Sequence, residues 1–187
     1  MPDTLRKPHL ITPDDYLAFD TNAEEKYEYV DGEIHAMTGT TVKHNQISGN
    51  LYLALRNHLA GQPCETFIAD LKVHAAAANA FYYPDLAVRC QQQPLADDTR
   101  VIDDPTLIVE VLSPSTEAID RREKLAAYRR IPSVREYVLV AQEERSVEIY
   151  RREGDISWRY LPFTDDDNVE FASIGLTLPM AAIYGAA

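Results

Sequence analysis

The apolar positions of the chain recur with two different spacings. A stripe at three- and four-residue spacing predicts a helix from about Val42 to Ala60, which Gly61-Gln62-Pro63 ends. The members of the stripe are His44, Ile47, Leu51, Leu55 and Leu59. Most other apolar runs are short and rich in β-branched or aromatic residues, which predicts strands.

A helical arm and a β-hairpin are predicted near the N-terminus. The arm begins at Thr12, which suits an N-cap because a proline and two acidic residues follow it. It is expected to pack peripherally through Tyr16, Leu17 and Phe19. Asp31-Gly32 between two strand-like runs predicts a two-residue type I′ turn. The flanking runs are Lys26 to Val30 and Glu33 to Met37.

A series of strands follows the long helix. Glu65 to Ala75 and Phe81 to Arg89 are expected to form a hairpin through the small residues between them. Pro84, inside the returning strand, indicates an edge or a bulge because proline cannot donate to a sheet. The later predictions are strands at Glu136 to Val140, Ser146 to Arg152 and Ser157 to Phe163, a turn at Asp165 to Asn168 and a helix at Leu178 to Tyr184.

The stretch from Leu107 to Ile131, LIVEVLSPSTEAIDRREKLAAYRRI, combines a strand and a helix around one carboxylate. Its apolar run predicts a strand buried on both faces, where an unpaired Glu110 would cost several kcal/mol, of order 3 to 5. Glu110 therefore requires a cationic partner, either a metal ion or a side chain. After a Ser-Pro-Ser break, Asp120 with Glu123 resembles a capping box, so the basic helix is expected to begin at Arg121.

The order of these elements predicts an α/β domain with a mixed β-sheet flanked by helices. The strand, crossover helix and strand from Leu107 to Val140 should form a right-handed parallel unit. At 187 residues and 21.1 kDa the chain fits a single domain, 1–187, with its core at about 26–163. Such a domain buries about two thirds of the surface of its unfolded chain.

Composition and charge exclude several classes of protein. With 45% hydrophobic and 26% charged residues, the chain is neither disordered, collagen-like nor a coiled coil. No apolar run approaches the roughly 18 residues of a membrane helix, and the first residues lack the apolar core of a signal peptide. We therefore expect a cytoplasmic protein with no membrane partner. The net charge of −12 opposes non-specific nucleic-acid binding, unless positive charges cluster as they do between Arg121 and Arg130.

The two cysteines give no sign of a metal or redox site. Cys64 and Cys90 lie far apart and have no Cys-x-x-Cys spacing, which argues against a zinc knuckle and against a redox pair. Both are expected to be free and structural.

Three polar residues are candidates for one shared site. Asp85 follows Pro84, and Glu110 lies in the buried strand, so the two carboxylates are expected to form a hard-oxygen site for Mg²⁺. Such an ion would lower the pKa of bound water and neutralise charge on a scissile phosphate. Lys124 can reach the carboxylates because it lies on the sheet-facing stripe of the basic helix. That stripe consists of Lys124, Ala127, Tyr128 and Ile131.

The combination of these residues resembles a known family. Pro84-Asp85, followed by a strand with Glu110-Val111-Leu112, resembles the PD-(D/E)XK nuclease pattern. The whole set is similar to the Uma-two family of restriction-endonuclease-like proteins within that superfamily, and the likeness spans roughly Tyr27 to Val140. The features that carry it are the hairpin Tyr27 to Ile34, the helix entry His44 to Ile47, the run Glu110 to Thr116, and Asp120, Lys124 and Tyr128.

The resemblance implies a restriction-endonuclease-like fold with a metal-dependent site. The superfamily pattern has a lysine two residues after the acid, where this chain has Leu112. In the Uma-two family the lysine is taken to have moved to the following helix, which points to Lys124. The implied metal ligands are Asp85, Glu110 and the carbonyl of Val111, with Mg²⁺ or Mn²⁺ as cofactor. Lys124 would position the attacking hydroxide and stabilise the charge of the phosphate.

One histidine and the two glutamates of the hairpin each have a structural and a functional interpretation. His44 is either a core histidine or a contact to phosphate that helps to orient water. At most one of Glu28 and Glu33 should face the site. Pairing across the hairpin with Lys26 accounts for Glu28, which leaves Glu33 as the accessory candidate.

The basic helix carries further open alternatives. Tyr128 is expected to pack in the core with its hydroxyl hydrogen-bonded, with an accessory role in the site as the second interpretation. Four arginines form a solvated face by default, with contact to phosphate as the second interpretation: Arg121, Arg122, Arg129 and Arg130. A structural ion pair between Glu110 and Lys124, without a metal, satisfies the same burial argument.

Three functions follow from these features. The leading hypothesis is a Mg²⁺-dependent DNA endonuclease that hydrolyses phosphodiester bonds. A catalytically inactive nucleic-acid-binding or assembly protein on the same fold is the first alternative, because the chain is acidic and has Leu112 at the usual lysine position. A metal-dependent hydrolase of a small phosphorylated substrate is the second. Cutting both strands of a duplex with one site per chain needs two chains, so a homodimer is expected.

Overall fold

The computed structural model describes residues 10–37 and 39–185, which form three β-sheets with helices packed against them. Residues 1–9, 38, 186 and 187 of the predicted domain lie outside the described part. Asp120–Lys124 is a π-helical turn that continues α3 into α4, and these three pieces together are called the Lys124 helix below. The helices are α1 Pro13–Asn22, α2 Val42–His58, α3 Glu117–Ile119, α4 Leu125–Tyr128 and α5 Met180–Tyr184.

Two mixed sheets and one small ribbon contain the described strands. The strand order is β11-β10-β9-β8-β6-β3 in the six-stranded sheet, β2-β1-β5-β4-β7 in the five-stranded sheet and β12-β13 in the ribbon. The pairs β8–β9 and β4–β7 are parallel, and the other pairs are antiparallel. The bounds are β1 Tyr27–Val30, β2 Glu33–Ala36, β3 Cys64–Ile68, β4 Lys72–Ala75, β5 Ala80–Tyr82, β6 Leu86–Cys90, β7 Val101–Ile102, β8 Leu107–Val111, β9 Glu136–Val140, β10 Ser146–Glu153, β11 Ser157–Thr164, β12 Asn168–Phe171 and β13 Leu176–Pro179.

The central strands β8 and β9 of the six-stranded sheet are buried on both faces. Leu107 and Val109 of β8 pack with α2 and α5 on one face. Ile108 packs with the Lys124 helix on the other. All five residues of β8 are buried, so the predicted doubly buried strand is confirmed. Within the described ranges, no helix combines the length and the apolar character needed to cross a bilayer.

The arm and the hairpin form for the local reasons read from the sequence. The hydroxyl of Thr12 accepts a hydrogen bond from the Asp15 amide at 3.2 Å, which caps α1. The ring of Tyr16 is fully buried against Tyr29, with ring centroids 5.2 Å apart. Asp31 and Gly32 have φ of 46° and 96°, so both turn residues are left-handed, as a type I′ turn requires.

Two predicted strands are each divided between the two large sheets. The strand expected from Glu65 to Ala75 is β3 and β4, and the strand expected from Phe81 to Arg89 is β5 and β6. The first divides where Ala69 has a φ of 56°, and the second divides at Pro84. Residues 69–71 and 83–85 are called the two crossings below. They are joined by a hydrogen bond from the Ala69 amide to the Asp85 carbonyl at 3.0 Å.

The prediction of two free cysteines is wrong. Cys64 and Cys90 lie directly opposite each other in the antiparallel pair β3–β6 and form a disulfide. They are 26 residues apart in the chain, and only the sheet register brings them together. Sequence spacing does not report such a cross-strand pair, since spacing motifs apply to residues in one local segment.

Candidate active site

A cavity of about 250 Å³ opens where the crossing 83–85, the end of β8, the start of α2 and the Lys124 helix meet. Asp85, Glu110, Val111, Lys124 and His44 all line it, together with Tyr83, Asp120 and the Ser113–Thr116 segment. The structure therefore brings together the residues that the sequence selected as catalytic candidates and metal ligands.

Asp85 is held rigidly by the backbone of β8. Its Oδ2 accepts a hydrogen bond from the Val111 amide at 2.7 Å, and its own amide donates to Glu110 Oε2 at 3.4 Å. These bonds exist because β6 pairs with β8 immediately after the crossing. Among the described residues, Asp85 Oδ1 has no hydrogen-bond partner, so one carboxylate oxygen is available to a ligand.

Glu110 is 4% exposed and is surrounded by donors from the Lys124 helix. Its Oε1 accepts hydrogen bonds from Lys124 Nζ and from the Tyr128 hydroxyl, each at 3.2 Å. Burial raises the pKa of Glu110 well above its usual value, and the nearby carboxylates Asp120 and Asp85 raise it further, although Lys124 opposes them. The predicted cationic partner of Glu110 is thus present in the form of a side chain.

Lys124 is 5% exposed, so it faces the sheet as its helix stripe predicts. Its ammonium lies 3.0 Å from Glu28 Oε1, 3.2 Å from Glu110 Oε1 and 3.4 Å from Asp120 Oδ1. Burial opposes the charged form, but Glu110, Glu28 and Asp120 outweigh it and raise the pKa of Lys124 well above its usual value. Lys124 is therefore an ammonium at neutral pH.

The predicted cap at Asp120 is wrong, and a π-helical turn explains why. The helical segment already begins at Glu117, and Asp120 lies inside it as the first residue of the π-helical turn. π-Helical turns occur frequently at functional sites because the extra residue shifts the side chains that follow. Asp120 is buried beside Lys124 instead of capping the helix, and its Oδ1 has the ammonium of Lys124 at 3.4 Å as its charged partner. Burial raises its pKa, although Lys124 lowers it.

The hairpin glutamate that faces the site is Glu28, and the expectation that Glu33 does so is wrong. Glu28 contacts Lys124 and accepts a hydrogen bond from the Tyr83 amide at 3.0 Å. Glu33 has a side chain that is 69% exposed, beside His35 in β2. Lys26, the expected partner of Glu28, pairs with Asp70 instead. Strand alternation was the missed signal, since Glu28 shares its face of β1 with Val30, which packs against the core.

His44 enters the site from the first turn of α2. Its Nε2 lies 3.1 Å from Asp85 Oδ2, and the side chain is nearly buried. Burial lowers the pKa of His44, but the hydrogen bond and the charge of Asp85, with a hydrogen bond to the backbone of Val111, outweigh it and raise the pKa. The geometry fits the interpretation of a buried, satisfied histidine, and the contact to phosphate stays a prediction.

Gln142 connects the start of α2 to the end of β8, and its sequence context did not indicate this. Its side chain accepts from the hydroxyl of Thr41, the N-cap of α2, at 2.7 Å. It donates to the carbonyl of Leu112 at 2.5 Å. The bridge fixes the helix turn that carries His44 relative to the strand that carries Glu110.

A second buried lysine lies behind the crossing 83–85. Lys72 Nζ is 2.6 Å from Asp20 Oδ2 and 3.0 Å from the hydroxyl of Tyr83, which itself donates to Asp20 Oδ2 at 2.9 Å. Lys72, Asp20 and Tyr83 are called the Lys72 cluster below. It ties the arm α1 to the residue that precedes Pro84-Asp85, and no local motif in the sequence predicted it.

The two arginines proposed for nucleic-acid contact differ in environment. Arg121 Nε lies 2.7 Å from Glu117 Oε1, and Arg121 Nη2 lies 2.7 Å from Glu148 Oε1. Its charge is therefore neutralised within the chain. Arg122 is exposed to solvent. Neither arginine lines the cavity.

The charges of the site favour a cation. Four carboxylates, from Glu28, Asp85, Glu110 and Asp120, surround one ammonium and one imidazole, so negative charge is in excess even when His44 is protonated. In residues 10–37 and 39–185, no three His, Cys, Asp or Glu side chains are arranged to hold one metal ion. The described donors instead offer two carboxylates and a backbone carbonyl, and Mg²⁺ typically takes only one or two protein carboxylates.

The fold and the site define a mixed α/β protein with a buried carboxylate–lysine centre at the end of a strand. A crystal structure of a "putative nuclease belonging to DUF820" from Anabaena variabilis ATCC 29413 matches this fold with a TM-score of 0.77. The match covers 93% of this chain and 97% of that chain at 19% identity.

Sequence comparison identifies the family. The family model Uma2, described as "Putative restriction endonuclease", matches residues 13–181, and the chain belongs to this family. Two relatives from Synechocystis sp. (strain ATCC 27184 / PCC 6803 / Kazusa) are similar along most of their length. Uncharacterized protein slr1290 is 37% identical over 174 residues, 93% of this chain and 91% of its own. Uncharacterized protein sll1609 is 33% identical over 150 residues, 80% of this chain and 85% of its own.

Proposed function

We propose that this protein is a metal-dependent DNA endonuclease that hydrolyses phosphodiester bonds at the Asp85–Glu110–Lys124 site. The observation that carries the proposal is the position of Lys124, whose ammonium lies 3.2 Å from Glu110 although it comes from a different element. Leu112, at the usual lysine position, is buried in the apolar cluster beside Tyr128. The membership of the chain in a nuclease-like family supports the same function.

Asp85 and Glu110 would hold Mg²⁺ or Mn²⁺, with the carbonyl of Val111 as a third donor. The free Oδ1 of Asp85 and the excess of carboxylates in the site fit a hard divalent cation. When bound, such an ion supplies Lewis acidity toward a phosphate oxygen and makes water more acidic.

The other residues have roles set by their contacts. Lys124 remains protonated among its carboxylates, so it acts as a fixed positive charge for the phosphate and not as a base. His44 orients Asp85 through the 3.1 Å contact and can donate to a phosphate oxygen or to water. Tyr128 is a positioning residue, because its hydroxyl holds Glu110 from within the core.

The direct test is cleavage of plasmid and oligonucleotide DNA in Mg²⁺ or Mn²⁺, with chelator as the zero-metal control. Asp85→Asn and Lys124→Gln are each expected to lower the rate by about 10²- to 10³-fold or more, since each removes electrostatic stabilisation of the phosphate. Asp98→Asn, which changes an exposed loop carboxylate in the same way, should cleave at the wild-type rate. Equal rates for all four proteins would refute the proposal and indicate a contaminating nuclease.

Calorimetric titration with Mg²⁺ separates the enzyme from the non-catalytic nucleic-acid-binding alternative. Binding at millimolar metal that disappears in Asp85→Asn supports the proposed centre. An absence of binding in the wild-type protein contradicts it. Sedimentation would test the further proposal that two copies associate so that both strands of a duplex are cut.

A further inference from the structure

Three side chains line up across the far end of the six-stranded sheet from Glu110. Arg152 of β10 lies opposite Trp158 of β11 in the strand register. On its other side, the Arg152 amide donates to the carbonyl of Arg135 at 2.8 Å, which places Arg135 opposite Arg152 just before β9. Arg129, at the end of the Lys124 helix, reaches over the same indole. Its guanidinium carbon is 5.4 Å from the ring centroid, and that of Arg152 is 4.4 Å.

The positive charge of this region is not neutralised within the described chain. Arg129, Arg130 and Arg135 are exposed, and none of them forms an ion pair with a carboxylate in residues 10–37 and 39–185. Burial lowers the pKa of Arg152, and the charges of Arg135 and Arg129 lower it further, although the charge of Asp155 opposes them. Four other arginines do have acidic partners, and these are Arg89, Arg121, Arg151 and Arg159.

Structural roles explain only part of this arrangement. Arg152 donates to the carbonyls of Val134, Arg129 and Ile131, so it satisfies the end of the Lys124 helix. The helix dipole favours cations there, which accounts for Arg129 and Arg130. It does not account for Arg135, which follows the loop and lies directly opposite Arg152. Like charges opposite each other destabilise a sheet, and a chain with 30 acidic residues could place one there instead.

We propose that Arg129, Arg130 and Arg135, with the indole of Trp158, form an arginine patch that binds the phosphate backbone of duplex DNA. The proposal rests on the proposed function, since it names the surface that would hold the substrate of that site. Phosphate carries the charge that is complementary to unpaired guanidinium groups. The net charge of −12 repels a polyanion from most of the protein surface, so DNA would bind where the arginines cluster. Lys124 and Arg129 are five residues apart on one helix, roughly 8 Å along its axis.

Binding of a labelled DNA duplex of random sequence, measured by fluorescence anisotropy in chelator so that no cleavage occurs, tests the patch directly. Each phosphate contact contributes about 0.9 to the slope of log K against log salt concentration. Arg135→Gln is expected to weaken binding by about 3- to 10-fold and to lower this slope by about 0.9. The double variant Arg129→Gln/Arg135→Gln is expected to lower the slope by about twice as much. Arg56→Gln removes one exposed positive charge from α2, on the opposite face of the sheet, and should change neither quantity.

Trp158 provides an independent readout because it is the only tryptophan in the chain. Its fluorescence should change on addition of DNA to the wild-type protein and to Arg56→Gln. The same change should need more DNA in the double variant. Circular dichroism of each variant checks that the exposed substitutions leave the fold intact.

The outcomes separate this inference from the proposed function. If DNA binding depends on the patch but the protein does not cleave DNA, the patch is supported and the proposed nuclease function is refuted. If the protein cleaves DNA but the double variant has unchanged DNA affinity and salt slope, the patch is refuted and the proposed nuclease function stands. A loss of self-association in Arg135→Gln, with DNA binding unchanged, also overturns the proposal and assigns the surface to a second copy of the chain.

Discussion

Two buried lysines of this protein lie on either side of the crossing 83–85, and their surroundings differ in one respect. In the Lys72 cluster, one ammonium faces the single carboxylate of Asp20 and a tyrosine hydroxyl. Around Lys124, one ammonium faces the carboxylates of Glu28, Glu110 and Asp120. The first cluster is balanced in charge, whereas the second has an excess of negative charge that nothing in the described chain offsets.

This difference distinguishes a structural ion pair from a site with capacity for a ligand. A balanced buried pair gains little from further charge, so its role ends with joining α1 to the sheets. A cluster with an excess of carboxylates is unfavourable by itself, and a cation or the protonation of one carboxylate relieves it. Burial raises the pKa of Glu110 and of Asp120, and neighbouring carboxylates raise both further against the opposing charge of Lys124. The comparison predicts that the same substitution will have different consequences in the two clusters.

The largest difference is expected in activity. Lys124→Gln should lower the rate of DNA cleavage by about 10³-fold, about 4 kcal/mol, because the phosphate loses a fixed positive charge. Lys72→Gln makes the identical chemical change in the balanced cluster and should keep most of the activity at a temperature where the variant is folded. Single-turnover cleavage rates measure both. Similar losses in the two variants would remove the distinction between the clusters.

The next effect is on stability. Asp20→Asn should lower the free energy of unfolding by about 3 kcal/mol, because it leaves the buried ammonium of Lys72 without a carboxylate. Asp14→Asn, an exposed carboxylate on the same helix, should cost less than about 1 kcal/mol. Urea unfolding followed by circular dichroism gives both values. Equal losses would mean that the Lys72 pair contributes no more than a surface charge.

Metal binding should stabilise the protein through the carboxylates of the candidate site, including Asp85, and not through the Lys72 cluster. At a Mg²⁺ concentration 100 times the dissociation constant, the free energy of unfolding is expected to rise by about 2.7 kcal/mol. Thermal unfolding with and without Mg²⁺ measures the increase. Asp85→Asn should abolish it, and Asp20→Asn should retain it despite its lower baseline. A stabilisation that survives in Asp85→Asn would place the ion elsewhere.

The smallest effect has the opposite sign. Asp120→Asn should raise the free energy of unfolding of the metal-free protein by about 1 kcal/mol at neutral pH, because burial raises the pKa of Asp120 and disfavours its charge. An acid whose pKa is raised on folding costs stability above its unfolded value, so the gain should vanish as the pH falls below about 4. Urea unfolding at neutral and acidic pH tests this. A destabilised variant at neutral pH would show that Asp120 supports Lys124 more than it crowds the site.

The sequence predicted the features that depend on local periodicity. The stripe that buries Lys124, the type I′ turn at Asp31-Gly32 and the doubly buried strand around Glu110 are all present. Each follows from the spacing of apolar residues or from the backbone preference of a turn residue. The meeting of Asp85 with Glu110 was also expected, because the two carboxylates were assigned to neighbouring strands.

The features that the sequence did not predict depend on which strand lies beside which. Alternation shows that a residue is buried but not which sheet it joins, so the two crossings and the Cys64–Cys90 disulfide were missed. The choice of Glu33 over Glu28 has a different cause. Strand alternation already places Glu28 on the face of Val30, but its partner comes from a helix almost 100 residues away and not from Lys26. The Lys72 cluster likewise joins α1, β4 and a crossing.

The two crossings also have a consequence for how the protein folds. Glu28, His44, Asp85 and Lys124 belong to segments distant in sequence, and Asp85 reaches its place only when the chain has passed between the sheets at 69–71 and returned at 83–85. The parallel unit from β8 to β9 can form from neighbouring segments, but the complete centre needs long-range closures, which are entropically costly and slow. We therefore expect the centre to assemble late in folding, because its residues come from both sheets and from the crossing between them.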